Sequence, residues 1–509
     1  MTLARTLAMT LAGIHGEPVD VEADLSAGLP GVTFTGLADV AVKESRDRIR
    51  AAICNSGLEW PNRKITVALL PADVRKVGSR FDLAMAVAVL GCAGTVPVEA
   101  IIGVVWIGEL GLDGRLRPVH GVLPSVIAAR AAGVQRVVVP LGNAAEAALV
   151  SDIDVRAAGH LGEVVAWLRG TGPAPEPAEP GPARPLDEQA LDLADIAGQH
   201  SAKRALAVAA AGSHHLSLVG APGSGKTMLA ERLPGLLPPL DDPAALEVSA
   251  VHSVAGLLGV PAQLLRQPPW QAPHHTASVA ALVGGGTHLA RPGAISLAHR
   301  GVLFLDEAAE FARAALDALR QPLESGVVVL HRSGGPVRYP SRFQLVLAAN
   351  PCPCGSRAAR CSCAPGARRR YLQRLSGPLL DRIDMRIYVD PVPHAELFAE
   401  SGGERSAVVH GRVMRARAAA GERWAGTGHA LNGDVPGALL RGARWRLPRA
   451  AMRLAEESMR RGLLSARGLD RVLRVAWSVA DLAGHRVPDA DDVAEALYYR
   501  CAEAGSWAA

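Results

Sequence analysis

The fold of the second half of the chain is decided by residues 215 to 233, HLSLVGAPGSGKTMLAERL. This stretch holds a complete G-x4-G-K-[ST] pattern between an apolar run that predicts a strand and a predicted helix. Glycines let backbone N–H groups surround phosphate oxygens, and the helix N-terminus adds its positive end. We therefore predict an ATP site, in which Lys226 reaches the terminal phosphates and Thr227 ligates Mg²⁺. The predicted nucleotide-binding residues here are Gly220, Gly223, Ser224, Gly225, Lys226 and Thr227.

Two later apolar runs end in polar residues. The run in GVLFLDEAAEF predicts a strand that ends at Asp306 and Glu307, and FQLVLAAN predicts one that ends at Asn350. An aspartate at that position holds Mg²⁺ through water, and the following glutamate polarises the attacking water. Asn350, at the tip of an adjacent strand, is placed to orient the same water. The order of phosphate loop, acidic pair and polar strand tip is that of the AAA+ ATPases.

Length and composition set the broad class. A chain of 509 residues is too long for one ordinary core, and 49% hydrophobic with 20% charged residues is typical of a globular protein. The net charge of +5 permits an anionic partner without proving one. Because Gly, Pro and charged residues interrupt every apolar run, we expect no membrane segment and a cytoplasmic location.

A Pro-rich stretch divides the chain. Residues 170–185, GTGPAPEPAEPGPARP, predict an extended linker that holds neither a helix nor a ladder. Short β-branched runs alternate with Ala-rich helical stretches in residues 1–169, which predicts a mixed α and β domain. Residues 186–393 are predicted to form the nucleotide-binding α/β core, and residues 394–509 a helical domain.

Four cysteines lie within residues 352–363, after Asn350. Cys352, Cys354, Cys361 and Cys363 form C-x-C, six residues and C-x-C. Four thiolates are the number that a closed tetrahedral Zn²⁺ site needs, although the spacing is tighter than that of the common C-x2-C pattern. Free thiols and a reversible disulfide are the alternatives.

Several further segments resemble one family. They are APHHTAS, ALVGGGTHLARPGAISLAHRGVLFLDEAAEF, LRQPLESG, NPCPCG, RLSGPLLDRID and SARGLDRVLRVAWSVADL, which together span most of residues 190 to 500. They resemble the magnesium-chelatase-like AAA+ proteins of the ComM (YifB) family. The resemblance implies an AAA+ core with a helical lid, assembly into a ring, expected to be a hexamer, and ATP-driven work on DNA. The work implied is branch migration, a helicase-type activity, in natural transformation or recombination.

The resemblance also assigns roles to single residues. Arg382 in LLDRID resembles the arginine finger that enters the neighbouring subunit's site, and Arg467 in SARGLDR resembles the lid arginine that senses the γ-phosphate. Both roles suit a planar guanidinium against phosphate. Ile196 and Gly198 in DIAGQ match the segment that holds the adenine. The adjacent pair of His274 and His275 is interpreted as a structural or DNA-facing loop rather than a metal site.

The first 170 residues resemble the Lon-protease-like domain that this family carries. KVGSRFDLAMAVAVL aligns with the stretch that holds the Lon nucleophile, and GELGLDGRLRPVHGVLPSVIAA with the stretch that holds its lysine. The matching positions are Arg80 and Leu123, and Ser79 lacks a partnered amine that could activate it. We expect a domain without protease activity, used for ring assembly or DNA contact.

Three other functions compete with a DNA motor. A magnesium-chelatase-type motor, which drives metal insertion into a porphyrin, would use a similar core without the Lon-like domain. An ATP-dependent protease is opposed by Arg80 and Leu123, and a scaffold that hydrolyses little is opposed by the intact nucleotide-site residues. Candidate DNA contacts are the arginines of residues 368–370 and 441–449, with Arg357 and Arg360 presented by the cysteine loop.

Overall fold

A computed structural model of the 509-residue chain describes residues 3–36, 39–181, 191–259, 261–286, 290–332, 335–355, 361–398 and 403–501. It contains two large sheets, one on each side of the Pro-rich stretch, followed by a helical C-terminal region. Among the described helices, none combines the length and the apolar character needed to cross a membrane.

The N-terminal sheet has eight strands in the order β10-β9-β8-β5-β1-β2-β4-β3, and a separate small ladder joins β6 to β7. The strands are β1 (Leu3–Ala12), β2 (His15–Ser26), β3 (Gly31–Thr35), β4 (Lys64–Leu70), β5 (Val104–Trp106), β6 (Glu109–Leu110), β7 (Leu116–Arg117), β8 (Arg136–Pro140), β9 (Asp154–Ala158) and β10 (Glu176–Pro177). The helices of this region are α1 (Val40–Asn55), α2 (Asp82–Cys92), α3 (Val122–Ala131), α4 (Ala144–Ala147) and α5 (Leu161–Leu168). The mixture of helices and strands confirms the predicted α+β character.

Burial explains how this sheet is covered. Every residue of α2 is buried, and β2 alternates buried with partly exposed positions, as expected for a strand with only one face in the core. One apolar core lies between the sheet and α1 and α2, and a second core on the other face includes α3.

The prediction that the linker holds no ladder is wrong at one point. Glu176 and Pro177 form β10, which pairs antiparallel with Arg156 and Ala157 of β9. The pairing is possible because β10 is an edge strand. It has no second neighbouring strand among the described residues, so the N–H that proline lacks is not needed there. Residues 182–185 of the predicted linker lie outside the described residues.

The second sheet has five parallel strands in the order β12-β15-β18-β11-β19. These strands are β11 (Leu216–Gly220), β12 (Trp270–Gln271), β15 (Val302–Leu305), β18 (Gln344–Ala349) and β19 (Met385–Val389). β11, β15 and β18 are buried at every position because helices and loops cover both faces of the sheet. All the carboxyl ends of parallel strands meet at one edge, so the residues after β11, β15 and β18 converge there.

Shorter elements surround this sheet. Two hairpins form from β13 (Gly284–Gly285) with β14 (Arg291–Pro292) and from β16 (Val327–Arg332) with β17 (Gly335–Pro340). The helices are α6 (His200–Gly212), α7 (Lys226–Leu236), α8 (Asp242–Ala255), α9 (Val279–Val283), α10 (Ala294–Leu297), α11 (Arg313–Asp317), α12 (Arg320–Ser325), α13 (Pro365–Gln373) and α14 (Gly377–Leu380).

The described part of the C-terminal region contains helices joined by turns and no strand, as predicted. It comprises α15 (His394–Leu397), α16 (Ser406–Trp424), α17 (Gly437–Leu440), α18 (Arg449–Arg460), α19 (Ala466–Ala483) and α20 (Ala490–Cys501). Its apolar side shares one core with α6, α7 and the second sheet, and the indoles of Trp424, Trp445 and Trp477 pack together there. The helical region is therefore packed directly against the nucleotide-binding core.

Candidate nucleotide site

The phosphate loop runs from the end of β11 to the start of α7. Gly223 and Gly225 have φ angles of +74° and +90°, a left-handed conformation that favours glycine, and a Cβ at either position would meet no atom within 4 Å. Between them, the buried Ser224 hydroxyl has no hydrogen-bond partner among the described residues. An open loop that leaves a buried polar group unsatisfied fits a phosphate ligand.

Lys226 lies inside this loop. Its ammonium donates to the carbonyl oxygens of Gly220 and Ala221, both at 2.9 Å, and to Asn350 Oδ1 at 3.3 Å. Burial lowers the pKa of Lys226, and the nearby carboxylates of Asp306 and Glu307 oppose that shift. The ammonium therefore sits among oxygen atoms, in the place from which it would reach phosphate.

The predicted magnesium ligands are in contact. Thr227 Oγ1 donates to Asp306 Oδ2 at 2.7 Å, and the Glu307 backbone N–H donates to Asp306 Oδ1 at 2.8 Å. A hydroxyl and a carboxylate are the oxygen donors that Mg²⁺ prefers, usually with several waters kept. The residues present therefore fit Mg²⁺, with Thr227 and Asp306 as its protein ligands.

Glu307 follows β15 with a φ of +49°, which is uncommon for a residue other than glycine and marks a constrained turn. Its side chain is 55% exposed at the mouth of the site, and its Oε2 lies 3.2 Å from His275 Nδ1. We interpreted His275 only as a loop residue. A recognisable strand before His275 would have identified it, as the strands before Asp306 and Asn350 did for those residues. β12 pairs in parallel with β15 and ends at Gln271, four residues before His275.

The segment predicted to hold the adenine lies against the same loop. Ile196 is buried, and Gly198 has a φ of +57° where its backbone passes the carboxylate of Glu396. The next residue, Gln199, was not predicted as a site residue. Its Nε2 donates to the carbonyl of Ser224 at 3.1 Å and to that of Asp390 at 2.5 Å, so it joins the segment to the phosphate loop.

Arg382 lies away from its own phosphate loop. Two residues after Arg382, Asp384 Oδ2 accepts a hydrogen bond from the His215 N–H at 2.9 Å. His215 directly precedes β11, so Asp384 lies at the amino-terminal edge of the sheet. The length of β11, about 16 Å at ~3.3 Å per residue, separates that edge from Lys226. The guanidinium binds the Pro378 carbonyl at 2.6 Å and forms an ion pair with Glu324. Its Nε is buried and has no partner among the described residues.

Arg467 lies on α19 of the C-terminal helical region. It is exposed in the first turn of α19, one turn before Arg471, whose guanidinium forms an ion pair with Asp384. A cavity of about 900 Å³ opens beside Arg382 and Asp384. Its cationic lining consists of Arg300, Arg342, Arg382, Arg417, Arg471 and Arg474. The chain thus presents its phosphate loop and its arginine-rich cavity at opposite edges of one sheet.

The positions that match the Lon catalytic pair are filled by other groups. Arg80 is buried and donates to Ser125 Oγ at 3.1 Å and to the His120 carbonyl at 2.5 Å. Burial lowers the pKa of Arg80 to about 10, and the Glu146 carboxylate opposes the shift. The Leu123 N–H donates to Glu146 Oε1 at 3.0 Å, and Ser253 of α8 donates to that same oxygen. These polar groups connect the N-terminal region to the core. The absence of protease activity stays a prediction.

The strand order and the site define the class. A parallel five-stranded sheet carries the phosphate loop on β11, the acidic pair on β15 and Asn350 on the strand between them, with a helical region after it. This is the arrangement of an AAA+ ATPase.

Three family models match successive parts of the chain. They are described as magnesium chelatase, subunit ChlI, at residues 192–397; subunit ChlI of Mg-chelatase, at residues 21–143; and magnesium chelatase, subunit ChlI C-terminal, at residues 403–500. An uncharacterized protein of Mycobacterium tuberculosis is 53% identical over 98% of this chain and 99% of its own length. Competence protein ComM of Haemophilus influenzae is 41% identical over 98% of each chain. Uncharacterized protein YifB of Escherichia coli is 41% identical over 98% of this chain and 97% of its own.

The chain belongs to the ComM/YifB family of magnesium-chelatase-like AAA+ proteins, as its motifs predicted. The Lon protease of Rhizobium meliloti is 29% identical over 200 residues, covering 36% of this chain and 24% of that protein, and supports the Lon-like N-terminal part. The predicted fold class is confirmed. Membership of an AAA+ family implies ATPase activity with Mg²⁺ and assembly into a ring.

Proposed function

We propose that this protein is a ring-forming ATPase that moves branched DNA, with branch migration in natural transformation or recombination as its task. The observation that carries the DNA assignment is the match to competence protein ComM, which extends over 98% of both chains. A match of that extent includes the N-terminal region, the ATPase core and the helical region together. The proposed domains are residues 1–169, 186–393 and 394–509, and the proposed location is the cytoplasm.

In the proposed reaction ATP is the substrate. Lys226 and the loop N–H groups hold its phosphates, and Gln199 and Gly198 position the loop and the adenine segment. Thr227 and Asp306 would hold Mg²⁺, which would supply positive charge next to the phosphates. Glu307 accepts a hydrogen bond from the attacking water and polarises it. Asn350, which contacts Lys226 at 3.3 Å, orients that water.

A further positive charge at the γ-phosphate is proposed to come from the adjacent subunit of the ring. Arg382 is separated from its own phosphate loop by the length of β11, so we propose that it serves the site of the adjacent subunit in a hexamer. Arg467 is proposed to sense the γ-phosphate from the helical region. A guanidinium brought to the γ-phosphate stabilises transition-state charge. The cavity beside Arg382 supports this proposal, because its six arginines outnumber its four acidic residues and leave this face net positive. The acidic residues are Asp241, Glu324, Asp384 and Asp434.

The proposed DNA contacts lie on α13. Arg369 and Arg370 are exposed on this helix, which follows the cysteines. In the second candidate run, Arg441 forms an ion pair with Asp470, and Arg444 lies 4.7 Å from the Trp445 ring, so part of that run is occupied by local contacts. Arg357 and Arg360 lie outside the described residues, and so does the side chain of Arg368.

A magnesium-chelatase-type motor is the alternative, favoured by the descriptions of the three matching family models. The two functions need different substrates, so one assay separates them. The proposed cofactors at the phosphate loop are ATP and Mg²⁺.

The test is displacement of a fluorescent strand from a synthetic three-stranded branched DNA. We expect the native chain to release the strand only with ATP and Mg²⁺, and Lys226→Ala to release none, because its ATP site lacks the ammonium. A matched control is Lys64→Ala, in which the lost lysine is exposed at the start of β4, outside the nucleotide site. If the native ring hydrolyses ATP yet moves no branched DNA, the proposed task is wrong.

A further inference from the structure

The side chains of Cys352, Cys354, Cys361 and Cys363 converge on one point. Their four Sγ atoms all lie within 4.8 Å of one another. Three of the separations are 3.2 Å between Cys352 and Cys354, 3.4 Å between Cys361 and Cys352, and 3.6 Å between Cys354 and Cys361. Four thiols from two C-x-C pairs therefore surround a single small volume.

These distances fit a metal better than a disulfide. Zn²⁺ binds thiolates at about 2.3 Å, so the edges of a regular ZnS₄ tetrahedron are about 3.8 Å. A disulfide would bring two sulfurs to about 2.05 Å. The observed separations are close to the tetrahedral edge, and no disulfide joins any two of the four cysteines.

The four-cysteine cluster lies between the nucleotide site and α13. Cys352 follows Asn350 by two residues, and α13 begins two residues after Cys363. Between the cysteine pairs, Gly355 has a φ of +72°, and its backbone packs on the phosphate loop so closely that a Cβ would lie 2.5 Å from Pro222 Cδ. The cluster thus connects the phosphate loop to the arginine-bearing helix.

We propose that the four cysteines bind one Zn²⁺ in a closed tetrahedral site that fixes the segment between Asn350 and α13. Binding converts four thiols to thiolates and releases four protons to solvent, with no change of oxidation state. All four ligands come from the protein, so the ion is structural and carries no open position for a substrate. The few apolar residues of this segment give it little other means of holding a shape.

Metal analysis of chain purified without chelator tests the site, and its readout needs neither ATP nor DNA. We expect about one zinc per chain, falling below about 0.1 in Cys361→Ser. Cys54→Ser is the matched control, because Cys54 is exposed on α1 outside the cluster, and it should keep its zinc. Replacement by Co²⁺ should give the absorption bands of a tetrahedral thiolate complex.

A measurement on the native chain keeps the test valid if Cys361→Ser fails to fold. Stepwise reaction with an organomercurial should release one zinc as four thiols are consumed. Native chain with no bound metal, or with a disulfide between two of the four cysteines under reducing purification, would overturn the proposal. Because this result is independent of strand displacement, the zinc site and the DNA function fail separately.

Discussion

Glu307→Gln is expected to bind ATP with unchanged affinity and to hydrolyse it at least about 100-fold more slowly than the native chain. The substitution keeps the size of the side chain and leaves an amide oxygen that can still contact His275 Nδ1, which lies 3.2 Å from Glu307 Oε2 in the native chain. It also leaves the contact between Thr227 and Asp306 intact. Only the negative charge that polarises water is removed. Steady-state ATPase rates, together with calorimetric ATP binding, separate the two effects.

A nearby carboxylate provides the control for this prediction. Glu310 lies three residues further on, and its Oε2 accepts from Arg374 at 2.7 Å outside the nucleotide site. Glu310→Gln should therefore hydrolyse ATP at close to the native rate. If Glu307→Gln is as active as this control, Glu307 does not polarise the attacking water.

Arg382→Ala should retain ATP affinity and lose about 10³-fold or more in hydrolysis, the usual effect of removing an arginine finger. The expected defect is in the neighbour's site, because Arg382 lies at the opposite sheet edge from its own loop. Mixing tests this directly. In rings made from equal amounts of Arg382→Ala and Glu307→Gln chains, about a quarter of the head-to-tail interfaces combine an intact Glu307 with an intact Arg382.

Such mixtures should recover a measurable part of the native ATPase rate, although each variant alone is almost inactive. Arg374→Ala is the control, because this exposed arginine contacts Glu310 and should have no effect in either assay. Mixed rings that form, as shown by native mass spectrometry, but recover no activity would contradict the action of Arg382 across the interface.

The residues of the nucleotide site could be predicted where they form one continuous stretch or directly follow an apolar strand. The phosphate loop carries its strand, turn and helix in one stretch, and buried runs before Asp306 and Asn350 indicated two strands of one parallel sheet. His275 was missed because β12 contributes only two paired residues, Trp270 and Gln271, too few to recognise as a strand. Polar residues that follow a long apolar strand can therefore be predicted from the sequence, whereas those that follow a strand of two residues cannot.

Long-range contacts were beyond sequence reasoning for a different reason. The four cysteines predicted a Zn²⁺ site, but their spacing did not exclude free thiols or a disulfide, because only the distances between the sulfurs separate these alternatives. The placement of α19 beside Asp384 depends on how the helix packs, since it is Arg471 of this helix that forms the ion pair. Likewise, the pairing of Glu176 and Pro177 with β9 depends on a free sheet edge that composition does not reveal.

ATP hydrolysis is proposed to be coupled to DNA, and we would measure the ATPase rate of the assembled ring with and without DNA. Single-stranded and branched DNA are added separately, at low salt, because phosphate contacts weaken steeply as salt rises. Glu307→Gln gives the background rate. We predict a several-fold increase over the DNA-free rate with at least one of the two DNAs, and a loss of that increase as salt is raised. If neither DNA changes the ATPase rate, hydrolysis by this protein is not coupled to DNA.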